Sequence, residues 1–535
     1  MSESSSRSTP PSAPAGFAPT PVDDGLRFTG RFAGGLLGDL RRRLPHYGGD
    51  FKQGLHPKVL ASTIFLFFAC LANAIAFGGL TGLVTDGAIG TVEMIVATAA
   101  GGIVFALLSG QPLTLLGGTG PIVVFTGLLY TSCRQLELPF LPVYAWTGIW
   151  SGLLLVVLAL TDASAWMRHF TRFTDEIFAS LIAVIFIVEA VRSLAAPFLE
   201  SSRPDTALLT LILGLGTFVL SRGMRSFQRS RYLWRTVRDF ISDFGPAIAI
   251  ALMTAFAVVE SAVPMPASKI PEQVETTTGR PWLVDLWELP TWAILASIGP
   301  ALMATILLFL DQNITTRLVN ARGNRLRKGA GFHLDLLVVG AITIAFSFAA
   351  LPWIVAATVH SLNHVKSLAT MRAVDERGEK HETIVSVREN RISPLLIHVL
   401  IACSVLILPL IKLIPMAVLF GLFLFMGFTT LGGNQFFDRV TLWVTDPELY
   451  PRSHYTRIVS HLRIHLYTII QAVALAALWV LKASSIGILF PVLIALLVPL
   501  RLLLGRWFTA AELAALDAEE AAEEFEGELF GDARG

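Results

Sequence analysis

Two stretches decide the fold of this chain: Leu351 to His364 reads LPWIVAATVHSLNH, and Gly117 to Thr126 reads GGTGPIVVFT. Each stretch interrupts a long apolar run with a proline beside small or β-branched residues, and a new apolar run follows it. Backbone groups left unpaired in lipid are costly, so a broken span persists at membrane depth only where protein or a water-filled cavity satisfies them. The two stretches therefore predict two broken membrane spans.

The two stretches also occupy corresponding positions in the two halves of an internal repeat. Trp353 lies 233 positions after Gly120, and Pro290, near the first strong span of the second half, lies 233 positions after Pro57 near the first span of the chain. Interrupted segments at matching positions of two halves are the best sequence pointer to a transporter's central binding site. The repeat therefore predicts a transporter with that site at the two breaks.

The composition is that of a membrane protein. The chain has 535 residues, of which 53% are hydrophobic and 15% are charged, and its mean hydropathy is +0.63; soluble domains carry about 25% charged residues. The net charge of +1 points to no particular partner. Three distant cysteines, Cys70, Cys133 and Cys403, predict neither a disulfide framework nor a metal site. Because the first apolar run begins only near Val59, no cleavable signal peptide is expected.

Windows of about 20 apolar residues, the length that crosses a bilayer, predict about fourteen transmembrane spans in an all-α polytopic protein. The first seven lie near 57–77, 91–109, 112–130, 142–162, 174–196, 206–222 and 244–264. The second seven lie near 290–316, 332–350, 353–370, 393–412, 415–433, 462–481 and 484–505. An odd number of spans per repeat makes the second repeat inverted, as in many secondary transporters.

Lysine and arginine collect on the cytoplasmic side of short loops, which orients the spans. Arginine-rich loops follow Leu220 and Thr316, whereas the loop from Val263 to Glu288 carries only two basic residues. We therefore predict a multi-pass protein of the cell membrane with both termini in the cytoplasm.

The predicted segments differ in composition and expected role. They are a disordered tail (1–31), an amphipathic helix on the cytoplasmic membrane surface (32–55), the first seven-span repeat (56–264), an extracellular loop (265–289), the second, inverted repeat (290–506) and an acidic cytoplasmic tail (507–535). A solvated linker helix is the alternative for 32–55. The acidic tail is either a solvated helix or a docking site for a cytosolic partner.

Several long motifs, in this order and spacing, resemble one known family. They include FFACLANAIAFGGL, GQPLTLLGGTGPIVVF, FTDEIFASLIAVIFIVEA, LFLDQNITTRLV, KGAGFHLDLLVVG and LPWIVAATVHSLNHV. From about Phe32 to Phe525 the chain resembles the membrane domain of the bicarbonate transporter solute carriers, which include the band 3 anion exchanger, sodium–bicarbonate cotransporters and borate transporters. The resemblance implies a 7+7 inverted repeat, split into core and gate domains and assembled as a homodimer.

Physical reasoning places an anion site at the two breaks. If spans 3 and 10 are half-helices that begin near Pro121 and Trp353, inverted symmetry points their N-termini at each other. Each N-terminus carries about half a positive charge and free N–H groups, which suit a small anion. The predicted anion-binding residues are Thr119, Gly120, Pro121, Ala357, Thr358, Val359 and His360. In the alternative, the prolines merely kink two structural spans.

Asp311 is the candidate for a coupling ion. It lies in TILLFLDQNITTRLV, where a carboxylate costs about 2.5–3.5 kcal/mol and is usually functional. Thr315 projects from the same helical face, four residues on. We predict that Asp311 and Thr315 bind sodium together with backbone carbonyls of the broken spans. The alternatives are a proton carrier and a carboxylate paired with an arginine or histidine.

The resemblance bears on the choice of ions. The segment that begins at Asp311, DQNIT, is similar to the DQ-x-IT motif of sodium-coupled members, whereas chloride–bicarbonate exchangers have ES-x-IT. His360 departs from both, since exchangers carry arginine there and sodium-coupled members an apolar residue. It either charges near neutral pH and replaces part of the arginine field, or is a neutral filler. Lys482 matches a family lysine near the outer end of span 13, and either attracts anions or snorkels to the interface.

No enzyme is indicated, because the chain shows no phosphate loop, zinc pattern or nucleophile elbow. Its arginine-rich loops are explained by membrane orientation and require no nucleic acid, and no cofactor is expected. The predicted function is secondary-active transport of bicarbonate or carbonate with sodium, by alternating access. The rivals are sodium-independent chloride/bicarbonate exchange, borate transport and a non-transporting membrane scaffold.

Overall fold

The computed structural model describes residues 25–518 apart from 201–202, 261, 264, 266–269, 272–273, 377–378 and 452. Most of the predicted disordered tail, and the acidic tail beyond residue 518, therefore lie outside the described residues. Helices account for most of the described chain, and two small antiparallel sheets complete it.

The described helices follow one another with short connections. In the first half they are α1 (Gly34–Arg43), α2 (Tyr47–Gln53), α3 (Pro57–Val84), α4 (Thr91–Leu108), α5 (Gly120–Gln135), α6 (Phe140–Leu160), α7 (Arg172–Glu200), α8 (Pro204–Ser226) and α9 (Arg235–Val259). In the second half they are α10 (Thr291–Ala296), α11 (Ile298–Val319), α12 (Phe332–Ser347), α13 (Thr358–Leu368), α14 (Ile392–Cys403), α15 (Leu408–Ile411), α16 (Met416–Leu431), α17 (Gln435–Thr441), α18 (His461–Ala483), α19 (Phe490–Leu503) and α20 (Ala510–Asp517). The strands are β1 (Leu116–Gly117), β2 (Val355–Ala356), β3 (Ala369–Glu376) and β4 (Glu379–Val387).

The described helices include ten that are long and apolar enough to cross a membrane, or eleven if α16 and α17, bent by 78°, form one span. The three other predicted spans coincide with α5, α12 and α13, which have 16, 16 and 11 residues. A multi-pass helical protein is thus confirmed. The count of fourteen spans in a 7+7 repeat stays a prediction.

The helices pack as two bundles. The first bundle contains α3 to α6 and α11 to α14, and the second contains α7 to α9 and α16 to α19. Glycines allow close backbone approach inside each one: a Cβ on Gly152 of α6 would lie 2.7 Å from the carbonyl oxygen of Gly340 in α12, and a Cβ on Gly421 of α16 would collide with Gly214 of α8. Small residues are the usual means of close helix packing in lipid.

The predicted surface helix over 32–55 is two helices, α1 and α2, joined by a 3-10 turn at Leu44–His46. Its polar side turns into the protein. The Asp39 carboxylate accepts hydrogen bonds from the backbone N–H groups of His333, at 2.7 Å, and Leu334, at 3.1 Å, and so caps the N-terminus of α12. Burial raises the pKa of Asp39. Leu37, Leu40 and Leu44 remain exposed.

An ionic cluster fastens α1 and α2 to the first bundle. Arg43 lies 3.1 Å from Glu389 and 3.5 Å from Asp50, and Asp50 also pairs with Lys328 and, at 3.3 Å, with Arg391. Asp50 is fully buried, and Arg43, Glu389 and Arg391 are each 2% exposed. These segments are therefore an integral part of the bundle, whereas the sequence predicted only a surface helix.

Candidate functional site

The two broken segments meet in the structure. Strand β1 pairs antiparallel with β2, with Leu116 opposite Ala356 and Gly117 opposite Val355. The Ala357 N–H donates to the Leu115 carbonyl at 2.8 Å, which extends the pairing by one bond. Both strands are buried. Each broken segment therefore supplies the hydrogen bonds that the other lacks, as backbone at membrane depth requires.

A helix begins directly after each strand. Helix α5 begins at Gly120, beside the predicted start at Pro121, but α13 begins at Thr358, five residues after the predicted start at Trp353. Residues 351–357 form no helix, because tertiary contacts hold them, and Val355 and Ala356 form β2. The Trp353 ring stacks on Tyr144 of α6 at 4.2 Å, and the Ala356 N–H donates to Gln312 Oε1 of α11 at 3.0 Å.

The antiparallel pairing brings the two helix starts together, with the chain running in opposite directions. Thr119 is the N-cap of α5, and Ala357 is the N-cap of α13. Neither N-cap side chain bonds to its own helix. The first N–H groups of α5 and α13 therefore lie at opposite ends of the short β1–β2 pair. Each helix start carries a partial positive charge.

The predicted anion-binding residues differ in burial. Gly120, Pro121 and Ala357 are buried, Thr119, Thr358 and His360 are partly buried, and Val359 is 53% exposed. The His360 ring nitrogen Nε2 lies 3.2 Å from the Ala69 carbonyl oxygen of α3. All seven predicted residues lie at the two helix starts, but the exposed Val359 side chain does not join the buried group.

Asp311 and Thr315 each contact one helix start. Asp311 Oδ2 accepts a 2.7 Å hydrogen bond from the Thr119 hydroxyl. The Thr315 hydroxyl lies 2.6 Å from that of Thr358 and donates to the Ala356 carbonyl at 3.2 Å. Helix α11 thus places the Asp311 carboxylate and the Thr315 hydroxyl, both predicted from the sequence, against the starts of α5 and α13.

Asp311 is 7% exposed and takes part in none of the ion pairs that the structure describes. Its neighbour is a neutral hydroxyl. The Asp311 carboxylate and the Thr119 hydroxyl offer oxygen atoms, the type of ligand that hard cations take, and the Thr315 hydroxyl follows one helical turn later. The described residues contain no group of three or more His, Cys, Asp or Glu side chains that could hold a metal ion.

Two amides of this region were missed in the sequence. Gln312 accepts from the Ala356 N–H, as noted, and donates to the Thr316 hydroxyl at 3.2 Å. Asn73 of α3 donates to the Gly118 carbonyl at 3.2 Å, just after β1. Polar side chains inside apolar spans are a signal for function. Applied to every such residue, that signal would have found both amides.

The α5 start also faces the second bundle. A Cβ on Gly120 would lie 2.7 Å from the Phe186 ring of α7, so this contact requires a glycine. Phe186 packs with Phe77 of α3 and Phe423 of α16, each with ring centroids 5.7 Å from its own, and these two rings lie 5.9 Å from each other. The start of α5 therefore lies where the two bundles touch.

Lys482 lies elsewhere in the molecule. It belongs to α18 of the second bundle, and its ammonium group lies 5.1 Å from the centroid of the Trp479 ring on the same helix. Helix α18 packs mainly against α7, α17 and α19. The structure thus does not bring Lys482 together with the helix starts, and its role in anion attraction stays a prediction.

The long apolar helices and their paired broken segments define an integral multi-pass membrane protein. The chain belongs to the family described as the HCO3− transporter integral membrane domain, whose family model matches residues 31–202 and 195–521. The family indicated by the sequence motifs is therefore confirmed.

Characterised relatives are similar along nearly the whole chain. The band 3 anion transport protein of Rattus norvegicus is 39% identical over 527 residues, which cover 94% of this chain and 57% of that protein. Anion exchange protein 3 of Homo sapiens is 37% identical over 555 residues, which cover 96% of this chain and 45% of that protein. The chain thus spans about half the length of the curated relatives it matches.

Solved structures share the fold at low identity. The transmembrane domain of the cyanobacterial bicarbonate transporter BicA aligns with a TM-score of 0.55 at 15% identity, over 79% of this chain and 97% of that one. SLC26A9 aligns with a TM-score of 0.57 at 13% identity, over 91% of this chain and 73% of that one. At these identities the similarity concerns the fold alone.

Proposed function

We propose that this chain is a secondary-active transporter of an inorganic anion, bicarbonate or carbonate, and that it works by alternating access. One observation carries the proposal: the pairing of β1 with β2 brings the starts of α5 and α13 together inside the protein. Two helix N-termini offer unpaired N–H groups and partial positive charge without a basic side chain, an arrangement that suits a small anion.

The proposed anion site consists of the residues at these two starts. They are Thr119, Gly120, Pro121, Ala357, Thr358, Val359 and His360. Within this set, the two threonine hydroxyls are already hydrogen-bonded to α11. An anion bound at this site would therefore change the hydrogen bonds of Asp311 and Thr315. This supports coupling between the anion and a second ion.

We further propose sodium as the coupling ion, bound by Asp311 and Thr315. A buried carboxylate without a positively charged neighbour is costly, and a bound cation offsets that cost. The absence of Asp311 from the described ion pairs favours a cation or a proton over a structural ion pair. A proton in place of sodium is the alternative for the same residue.

Sodium-independent chloride/bicarbonate exchange is the second candidate function. The names of the relatives favour it, since they are called anion transport and anion exchange proteins. The same relatives support a transport role without enzymatic activity or cofactor. Borate transport and a non-transporting scaffold are the other candidate functions for this fold.

For location and assembly, we propose a cell-membrane protein with cytoplasmic termini that forms a homodimer. The arginine-rich connections after α8 and α11 support the orientation. The partners of this proposal are the anion, sodium, a second copy of the chain and the lipid bilayer, with no nucleic acid.

A flux matrix on purified protein in liposomes tests these functions. Bicarbonate, chloride and borate are each supplied with sodium, potassium or a pH gradient as the driving ion. We expect bicarbonate uptake that requires sodium. Uptake that needs only chloride on the opposite side would establish exchange instead, and uptake that follows the pH gradient alone would replace sodium with the proton. No flux in any combination, from folded protein, would favour the scaffold.

A further inference from the structure

An arginine joins the two bundles at one end of α11. Arg317 lies in the last turn of α11, and Asp175 lies in the first turn of α7. The Arg317 guanidinium donates one hydrogen bond to the Asp175 carboxylate and another to the Phe170 carbonyl, just before α7. A cation at a helix C-terminus and an anion at a helix N-terminus are each favoured by the helix dipole. The contact thus suits both helix ends.

Arg317 is close in sequence to the candidate cation site. It follows Thr315 by two residues and Asp311 by six, on the same continuous helix. Because α11 is one helix from Asp311 to Arg317, it transmits displacement along its axis. A contact that fixes the Arg317 end against α7 therefore restricts movement of α11 relative to the second bundle.

Helix α20 also contacts the first turn of α7. Asp517, the last residue of α20, accepts hydrogen bonds through Oδ1 from the Phe173 N–H at 3.2 Å and the Tyr467 hydroxyl at 3.1 Å. Its Oδ2 accepts from Arg501 of α19, with Nε at 2.9 Å. Asp517 thus caps one of the free N–H groups at the start of α7.

Further contacts make this docking extensive. Arg172 donates to the Ala518 carbonyl at 3.1 Å and to Glu176 Oε1 at 3.0 Å, while Leu513 and Leu516 of α20 are buried. The first turn of α7, which carries Asp175, is therefore positioned by α20. If α20 moved away from the start of α7, the position of Asp175 would change, and its contact with Arg317 would weaken.

We propose that the Arg317–Asp175 pair is a latch that stabilises one of the two conformations of the transport cycle, and that α20 regulates the latch by fixing the first turn of α7. This inference rests on the proposed function, since alternating access requires the two bundles to move relative to each other. The latch must open once in each cycle, and the tail helix sets how readily it does so.

Spin labels can report the distance between the two bundles. The labelled protein carries Cys403→Ser, to remove the exposed native cysteine, together with Arg327→Cys and Arg506→Cys. Both arginines are exposed. The backbone of Arg327 is tied to Glu389 of the first bundle, and Arg506 follows α19 of the second. Distance distributions are measured by pulsed electron spin resonance in nanodiscs, and flux is measured in parallel.

We expect one dominant distance in the parent protein. Arg317→Gln and Asp175→Asn should each raise the ratio of a second, longer distance by about two- to fivefold, the scale of a partly exposed ion pair. The double variant should show no further increase over Arg317→Gln, because that change already removes the contact with Asp175. Arg317→Lys retains the charge and should stay closer to the parent.

Asp517→Asn tests the role of α20. It should shift the distribution in the same direction as Asp175→Asn and add little to Arg317→Gln. Arg322→Gln and Glu448→Gln remove exposed charges near α11 and in the α17–α18 connection, and serve as matched controls that should leave the distribution unchanged.

Specific outcomes would overturn each part. An unchanged distance distribution in both Arg317→Gln and Asp175→Asn removes the latch, whether or not the protein transports. A shift in those two variants but not in Asp517→Asn removes the regulation by α20. A parent protein with no flux in any ion combination, whose distances still shift as expected, refutes the proposed function and leaves the latch in place.

Discussion

The Thr119 hydroxyl donates a 2.7 Å hydrogen bond to the Asp311 carboxylate and so joins the start of α5 to the middle of α11. Thr358 and Thr315 form the matching contact, at 2.6 Å, between α13 and the same helix. The two half-helix starts are therefore held by two residues one helical turn apart. This arrangement allows the proposed anion and cation to be tested separately.

Replacement of Asp311 by asparagine should abolish sodium-dependent behaviour while the fold is retained. Asparagine keeps the oxygen that accepts from Thr119 but removes the charge. A cation at 100 times its dissociation constant stabilises the folded state by about 2.7 kcal/mol. We expect sodium to raise the melting temperature of the parent protein, and Asp311→Asn to lose both that rise and sodium-driven flux.

The ionic conditions provide the control for this prediction. Melting temperatures are measured in sodium, in potassium and across pH, for both proteins. A parent protein that ignores sodium but whose stability and flux follow pH would assign a proton to Asp311. A large loss of stability in Asp311→Asn without sodium, of about 3–5 kcal/mol, would instead indicate a buried ion pair.

The threonines at the helix starts test the anion site. Thr119→Val and Thr358→Val keep a β-branched side chain of similar size but lose the hydroxyl bonded to α11, and bulkier Leu variants also fill the space between the helices. We expect all four to abolish anion flux in folded protein. Thr119→Ser and Thr358→Ser retain the hydroxyl and should transport. Full transport by the Val and Leu variants at both positions would contradict the site.

His360 tests the contribution of charge beside the anion. Arginine is positively charged at every accessible pH, so His360→Arg should strengthen the positive field and shift the protein toward sodium-independent exchange. His360→Leu loses the contact with Ala69 of α3 but should leave sodium-coupled flux largely intact. Flux is measured with and without sodium across pH. If both variants match the parent throughout, the histidine is a neutral filler.

Asp50 tests the docking of α1 and α2. It is the anion shared by Arg43, Lys328 and Arg391. Asp50→Asn leaves these buried cations without that partner, and a broken buried pair costs about 3–5 kcal/mol. We expect a clear fall in the free energy of unfolding, measured by chemical denaturation in detergent. The matched change Glu288→Gln, at an exposed carboxylate, should alter it by less than about 0.5 kcal/mol.

The sequence predicted the breaks in the spans because prolines and small residues inside apolar runs are local signals. It also drew attention to Asp311 and Thr315, since a carboxylate in an apolar span stands out. The pairing of β1 with β2 was not predicted. A strand of two residues has no periodicity, and its partner lies in the other half of the chain.

The remaining differences arise from tertiary contacts. Helix α13 begins later than predicted because Trp353 stacks on Tyr144. No local sequence pattern predicts this contact, since the two residues are far apart in the chain. The segment 32–55 was predicted to lie along the membrane surface, yet Arg43 and Asp50 are buried against partners near residue 390. The latch residue Arg317 was counted only as part of an orienting basic loop.

The pairing of β1 with β2 can form only after most of the chain has been synthesised. Leu116 leaves the ribosome 240 residues before its partner Ala356, and at about 5–20 residues per second the delay is roughly 12–50 s. Throughout that interval the backbone of β1 lacks its partner, and for most of it the helices on either side of β1, α4 and α5, have already been synthesised. The first half therefore enters the membrane unfinished, and its maturation depends on the translation of the second.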